Sequence, residues 1–132
     1  RKTMDTLRRE LESMVERYNP NFLYINDDAF MARPKREVQE FAEMYKDFKL
    51  PFWCQTRFED VDEDKIGWLR EVGLYRMSFG LEHGNEEYRK KKLFRNISNK
   101  AMEVHLNNAQ TISSARRDAG TTKSFSSLCY DA

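Results

Sequence analysis

Apolar residues in this chain alternate between a helical period and unbroken runs. Met4, Leu7, Leu11, Met14 or Val15, and Tyr18 recur every three or four positions, the stripe of an amphipathic helix, and Asn19-Pro20-Asn21 stops it. Phe22-Leu23-Tyr24-Ile25 is continuous instead, as expected of a strand covered on both faces in a parallel sheet, and it ends in Asn26-Asp27-Asp28. After a loop over 29–33, Pro34 stands where a first helical residue tolerates it. Val38, Phe41, Ala42, Tyr45 and Phe48 then form the next stripe, closed by Leu50-Pro51. Phe52-Trp53-Cys54 begins a second strand. Asp62 reads as the N-cap of a helix carrying Ile66, Leu69 and Val72, Gly73 as its left-handed C-cap, and 74–79 as a third strand. A helix over 86–93 follows, and Ser98 caps another through Ala101, Met102 and Leu106.

Strand, helix, strand, helix, strand with short connections predicts an α/β fold built from right-handed parallel crossovers. The pattern fits a doubly wound sheet or a segment of a β/α barrel equally well. Beyond residue 106, Ser, Thr, Ala and Asn dominate and large apolar residues thin out, which predicts a poorly structured tail over 107–132. The alternative is a last helix and a short strand near 125–130.

Composition narrows the function more than the fold. A chain of 132 residues is one domain or part of one, and it buries roughly two-thirds of its unfolded surface. The net charge is +1 with both signs interspersed, so no field draws in nucleic acid or an anionic membrane. Cys54 and Cys129 are the two cysteines, without Cys-x-x-Cys spacing, so neither a disulfide framework nor a zinc knuckle is implied and a reducing, cytoplasmic setting is expected. No apolar run approaches the ~20 residues of a membrane span. The chain opens inside a helical pattern at Arg1, which predicts further sequence upstream.

In parallel α/β architecture ligands sit beyond the carboxyl ends of the strands, where this chain places three polar clusters. Asp27 and Asp28 close the first strand; because successive side chains diverge, one can face a ligand while the other caps the next turn. Gln55, Thr56 and Arg57 continue the second strand and suit a ribose, an amide or a carboxylate, while Arg57 can equally pair with Asp27, Asp28 or Glu82. In Ser78-Phe79-Gly80-Leu81-Glu82, Gly80 permits close backbone approach and Glu82 projects from the mouth. His83 and His105 read as exposed residues rather than catalytic bases. The run Arg89-Lys90-Lys91-Lys92 follows Glu86 and Glu87, an arrangement that suits the helix dipole and i,i+4 pairing, and Cys54 reads as a small buried hydrophobe. With no Gly-rich phosphate loop, nucleophile elbow or His-Glu-x-x-His, neither a catalytic residue nor a metal ligand is assigned.

Three segments taken together, Ile25-Asn26-Asp27-Asp28-Ala29-Phe30, Leu50-Pro51-Phe52-Trp53-Cys54-Gln55-Thr56-Arg57 and the stretch from Phe79-Gly80-Leu81-Glu82-His83-Gly84 to Asn85-Glu86-Glu87-Tyr88-Arg89, followed by Leu93-Phe94-Arg95 and Ile97-Ser98, resemble the radical S-adenosylmethionine (SAM) superfamily. The likeness is to its members with an N-terminal cobalamin-binding domain. It implies a partial, TIM-like β/α barrel over 1–106 holding barrel strands two to four. It also implies a [4Fe-4S] cluster that cleaves SAM for radical or methyl-transfer chemistry on an unknown substrate, with cobalamin bound by a separate domain. Asp27, Asp28, Gln55, Arg57, Ser78 and Glu82 then fall on the SAM-binding rim. The family's three-cysteine loop is absent from this sequence, so the chain is expected to be a core fragment, inactive alone and prone to self-association through unpaired sheet edges. Two rival readings are a non-catalytic α/β interaction module, its rim groups serving as caps and salt bridges, and a metal-dependent hydrolase built on Asp27, Asp28 and Glu82.

Overall fold

In the computed structural model, which describes residues 2–115 and 129–131 and the side chains of residues 2–109, each apolar stripe forms a helix and each unbroken run a strand. The order is α1 (Met4–Tyr18), β1 (Leu23–Ile25), α2 (Lys35–Tyr45), β2 (Phe52–Thr56), α3 (Glu63–Val72), β3 (Leu74–Gly80), α4 (Glu86–Lys92), α5 (Asn99–Ala115) and β4 (Cys129–Asp131). Capping residues set the helix starts. The Asp62 carboxylate accepts the Lys65 N–H at 3.1 Å, Asn85 Oδ1 accepts the Tyr88 N–H at 2.9 Å, and Ser98 Oγ accepts the Ala101 N–H at 3.1 Å. Burial pushes the Asp62 carboxyl up, yet the Lys65 N–H and the Lys35 ammonium hold it below the ordinary value. Pro34 lies just outside α2, at its N-cap rather than in its first turn.

The sheet has four strands in the order β1-β2-β3-β4, all parallel. Sequential order with crossovers of one hand sends every connecting helix to the same face. Accordingly α1 packs on α2, α2 on α3 and α3 on α5. Doubly wound sheets reverse their strand order at a switch point, and no reversal occurs here. The helix-covered face is the core. Phe52 and Cys54 of β2 and Met77 of β3 are at most 1% exposed and meet Val38, Tyr45, Ile66 and Leu69. The Tyr45 ring lies 4.9 Å edge-on from Phe52 and stacks 5.3 Å from Phe41, and its hydroxyl donates to the Leu50 carbonyl at 3.1 Å. Each such buried ring contributes roughly 2 kcal/mol.

Three expectations change. The run in β1 is covered on one face only, because Leu23 is buried while Tyr24 stays 45% exposed at the edge of the sheet. The tail expected from residue 107 is helical as far as Ala115, and β4 pairs with β3; the division at 106 falls inside α5, and residues 116–128 lie outside the described residues. Packing explains this override of weak propensity, since Met102 and Ala109, both 4% exposed, belong to the core. Arg89 is not part of a solvated basic run. Lys90 and Lys91 pair outward with Glu86 and Glu87, but Arg89 is fully buried and donates to the His83 carbonyl at 2.5 Å, to the Ile97 carbonyl at 3.4 Å and to Asn99 Oδ1. It ties the loops on either side of α4 together.

Gly73 joins α3 to β3 at φ +123°, where an added Cβ would stand 2.5 Å from the Leu50 carbonyl oxygen. Gly73→Ala is therefore expected to destabilise the fold by about 1–3 kcal/mol, read as a lower urea midpoint with an unchanged m value.

Candidate functional site

The carboxyl ends of β1, β2 and β3 surround a cleft of about 300 Å3 lined by Asp28, Gln55, Thr56, Arg57, Ser78, Phe79, Gly80, Glu82 and Arg95. A broader depression of about 430 Å3 follows α1, but Thr6, Arg9, Glu10, Ser13, Met14, Arg17 and Tyr18 all come from that single helix. One helix face cannot direct groups at a ligand from several sides. The smaller, polar cleft at the strand ends can, and it is the candidate site.

Of the six residues expected at the rim, five line this cleft and Asp27 does not. Its Oδ2 accepts from Arg33 Nη2 at 2.5 Å and Nε at 3.2 Å, and its Oδ1 takes the Ala29 N–H at 3.5 Å. Asp27 thus braces the loop after β1, while the next residue, Asp28, turns to the opening. One carboxylate braces the loop and the other lines the cleft.

Register and alternation position the others. Gln55 and Ser78 are cross-strand partners, and both lie on the face away from the helices. Ser78 Oγ accepts Trp53 Nε1–H at 2.9 Å, and the Gln55 side-chain amide donates to the Tyr24 hydroxyl. These bonds link β1, β2 and β3 just below the mouth. Glu82 sits at φ +64°, a backbone conformation that costs a non-glycine residue about 1 kcal/mol or more. A Cβ on Gly80 would lie 2.7 Å from Glu82 Oε1, so the missing side chain of Gly80 is what seats this carboxylate over the strand end.

The rim charges do not neutralise one another. Asp28, Arg57 and Glu82 are exposed, and none has an ion pair among the described residues. Arg95 is not among the residues expected at the rim. The loop after α4 brings it to the cleft, where Nη2 stands 3.6 Å from Glu59 Oε2, beyond hydrogen-bond length. Arg95 Nε and Nη2 and Thr56 Oγ1 are buried without a hydrogen-bond partner. Buried donors left open in this way are normally completed by a ligand or ordered water. Nothing in the spacing identifies Arg95, because the turn at Phe94, φ +53°, decides where it points.

The remaining candidates stay outside the cleft. His83 is exposed, its Nδ1 accepting the Asn85 N–H at 3.0 Å and its ring lying 4.4 Å from Tyr88. Cys54 is buried on the helix side, where burial, with a smaller contribution from Asp27, pushes its thiol up to about 12. Among the described residues no group of three His, Cys, Asp or Glu side chains converges in a way that could hold a metal ion, and no helix is long and apolar enough to cross a membrane. No family model matches this sequence, and no curated protein matches it.

Gly80→Ala is expected to displace the Glu82 carboxylate while costing little stability, because the clash is with the end of a flexible side chain. A changed Glu82 side-chain resonance with a urea midpoint near wild type checks this. Because burial disfavours the thiolate, Cys54 is expected to resist iodoacetamide at pH 8 in the folded protein and to react once unfolded. Peptide mapping by mass spectrometry separates its signal from Cys129.

Proposed function

We propose that this chain supplies the SAM-binding rim of a radical SAM enzyme of the cobalamin-associated subgroup, on a partial β/α barrel. The observation that carries the reading is the cleft itself. It joins unpaired acids, Asp28 and Glu82, to unpaired or under-bonded guanidinium groups, Arg57 and Arg95, around amide and hydroxyl side chains. A nucleoside that carries a free amino-acid group needs this combination: acids for the ammonium or ribose hydroxyls, and cations for the carboxylate. Opposite charges in so short an arc would ordinarily pair with each other, and their separation favours a zwitterionic ligand over a set of structural salt bridges. The sequential strand order supports the barrel part of the reading, since a singly wound sheet curls toward closure whereas a doubly wound one does not. At about 300 Å3 the cleft lies at the lower limit of ligand pockets, which suits part of SAM rather than the whole molecule.

The [4Fe-4S] cluster does not fit the residues described here. Cys54 is fully buried on the helix side with a thiol held in its protonated form, and a cluster needs thiolates converging from a loop. The proposed role is therefore binding and orientation of SAM, and no step of radical chemistry is assigned to these residues. Self-association along β1, an edge of the sheet, belongs to the same reading.

Calorimetric titration with SAM and with S-adenosylhomocysteine tests the proposal against the interaction-module alternative. Binding is expected to be weak, to fall at least tenfold in Glu82→Ala and in Arg95→Gln, and to survive in Asp27→Asn, whose effect should appear as lower stability through loss of the Arg33 pair. Absence of heat with either ligand, or equal binding by wild type and Glu82→Ala, would reject the SAM reading.

A further inference from the structure

Arg95 stands in the cleft with donors open, although two unpaired acids, Asp28 and Glu82, line the same small space. A guanidinium with only 17% of its side chain exposed ordinarily takes a neighbouring carboxylate as its hydrogen-bonded partner. The group that holds it off lies outside the cleft. Glu59 is not among the lining residues, and its Oε2 stands 3.6 Å from Arg95 Nη2. Among the described residues this is the one charged contact of the Arg95 side chain, and it is too long for a hydrogen bond. Glu59 therefore offsets the charge of Arg95 and consumes none of its donors. Nε and Nη2, the nitrogens of the side-on guanidinium fork, are both buried without a hydrogen-bond partner.

Both partners are fixed through their backbones. Glu59 lies in the short helical turn Phe58–Asp60 after β2. There the fully buried Phe58 ring stacks on Phe79 at 4.8 Å, and the Asp60 N–H donates to the Arg57 carbonyl at 3.2 Å. The Arg95 N–H donates to the Arg89 carbonyl at 3.1 Å, and Arg89 is itself buried and bonded to the loops on either side of α4. The separation of Glu59 from Arg95 is thus set by two anchored segments.

We propose that Glu59 is a positioning residue for ligand binding. As a counter-ion behind Arg95 it keeps the guanidinium from closing onto Glu82 or Asp28. The fork then stays open to a ligand carboxylate, and the two acids stay open to an ammonium or ribose. The ligand carboxylate supplies the hydrogen bonds that Glu59, at its distance, does not. The inference rests on the SAM reading of the cleft and adds to it the reason why opposite charges there remain apart. Glu59 itself touches no ligand.

NMR titration of the full chain with SAM, which reads weak affinities, tests this role in a double-mutant cycle. Glu59→Gln should weaken SAM binding at least fivefold in the wild-type background and less than twofold in an Arg95→Gln background, where no guanidinium remains to be positioned. Glu59→Asp, which keeps the charge, should retain most of the affinity. In the ligand-free protein, Glu59→Gln should shift the side-chain carboxyl resonance of Glu82 or Asp28 as Arg95 moves onto it, with a urea midpoint near wild type. Equal SAM affinity of Glu59→Gln and wild type, an equal loss in both backgrounds, or unmoved Glu82 and Asp28 resonances would overturn the inference and leave the SAM reading standing. No SAM binding by wild type would reject the SAM reading and this inference with it.

Discussion

The handedness of the crossovers between parallel strands is the constraint on which the rest of this structure depends. Each connection from β1 to β2 and from β2 to β3 passes over the same face, so α2 and α3 lie side by side and the apolar side chains of the strands on that face are buried beneath them. The opposite face receives no crossover helix from these connections. It keeps Tyr24, Trp53, Gln55 and Ser78, and their polar atoms bond to one another across the strands. A core on one side, a polar and aromatic surface on the other, and an open rim at the carboxyl ends all follow from one topological choice.

At the rim, rigidity comes from residues that do not face the cleft. Asp27 is held by Arg33, Phe58 stacks on Phe79 at 4.8 Å beneath the strand ends, and buried Arg89 holds the loops from which Glu82 and Arg95 emerge. Burying a guanidinium is expensive unless its donors are satisfied. Here two carbonyls and the Asn99 amide oxygen accept from its two Nη nitrogens, which braces the loops against each other, while Nε is buried without a hydrogen-bond partner. Such bracing lets Asp28, Arg57 and Glu82 remain unpaired, since the loop geometry does not depend on their pairing with one another.

Several features were legible in the sequence for physical reasons that can be named. Asp62, Ser98 and Gly73 act as caps because short oxygen-bearing side chains and a glycine answer needs that are local to a helix end. The rim residues Asp28, Gln55, Arg57, Ser78 and Glu82 could be picked out because strand ends follow from local hydrophobicity, and in parallel sheets strand ends face ligands. The turn of Arg89 into the interior was not legible. A basic residue in a run of lysines carries no local mark of its partners, and two of those partners, Ile97 and Asn99, lie in the connection to α5 and at its first residue. The helix continuing to Ala115 was missed for a related reason, since it is anchored by contacts of Met102 and Ala109 with the core rather than by its own propensity.

By itself, then, the sequence determined the type and order of the elements as far as the start of α5, and that polar groups gather at three strand ends, because period, capping and turn chemistry act over a few residues. Only the tertiary structure decided that the strands stand in sequential order, that Asp27 braces while Asp28 faces the cleft, that Gly80 seats Glu82, and that Arg95 completes the rim. Each of these depends on what lies across a strand pair or a loop closure, and such a neighbour is set by packing between elements rather than by the order of residues within one.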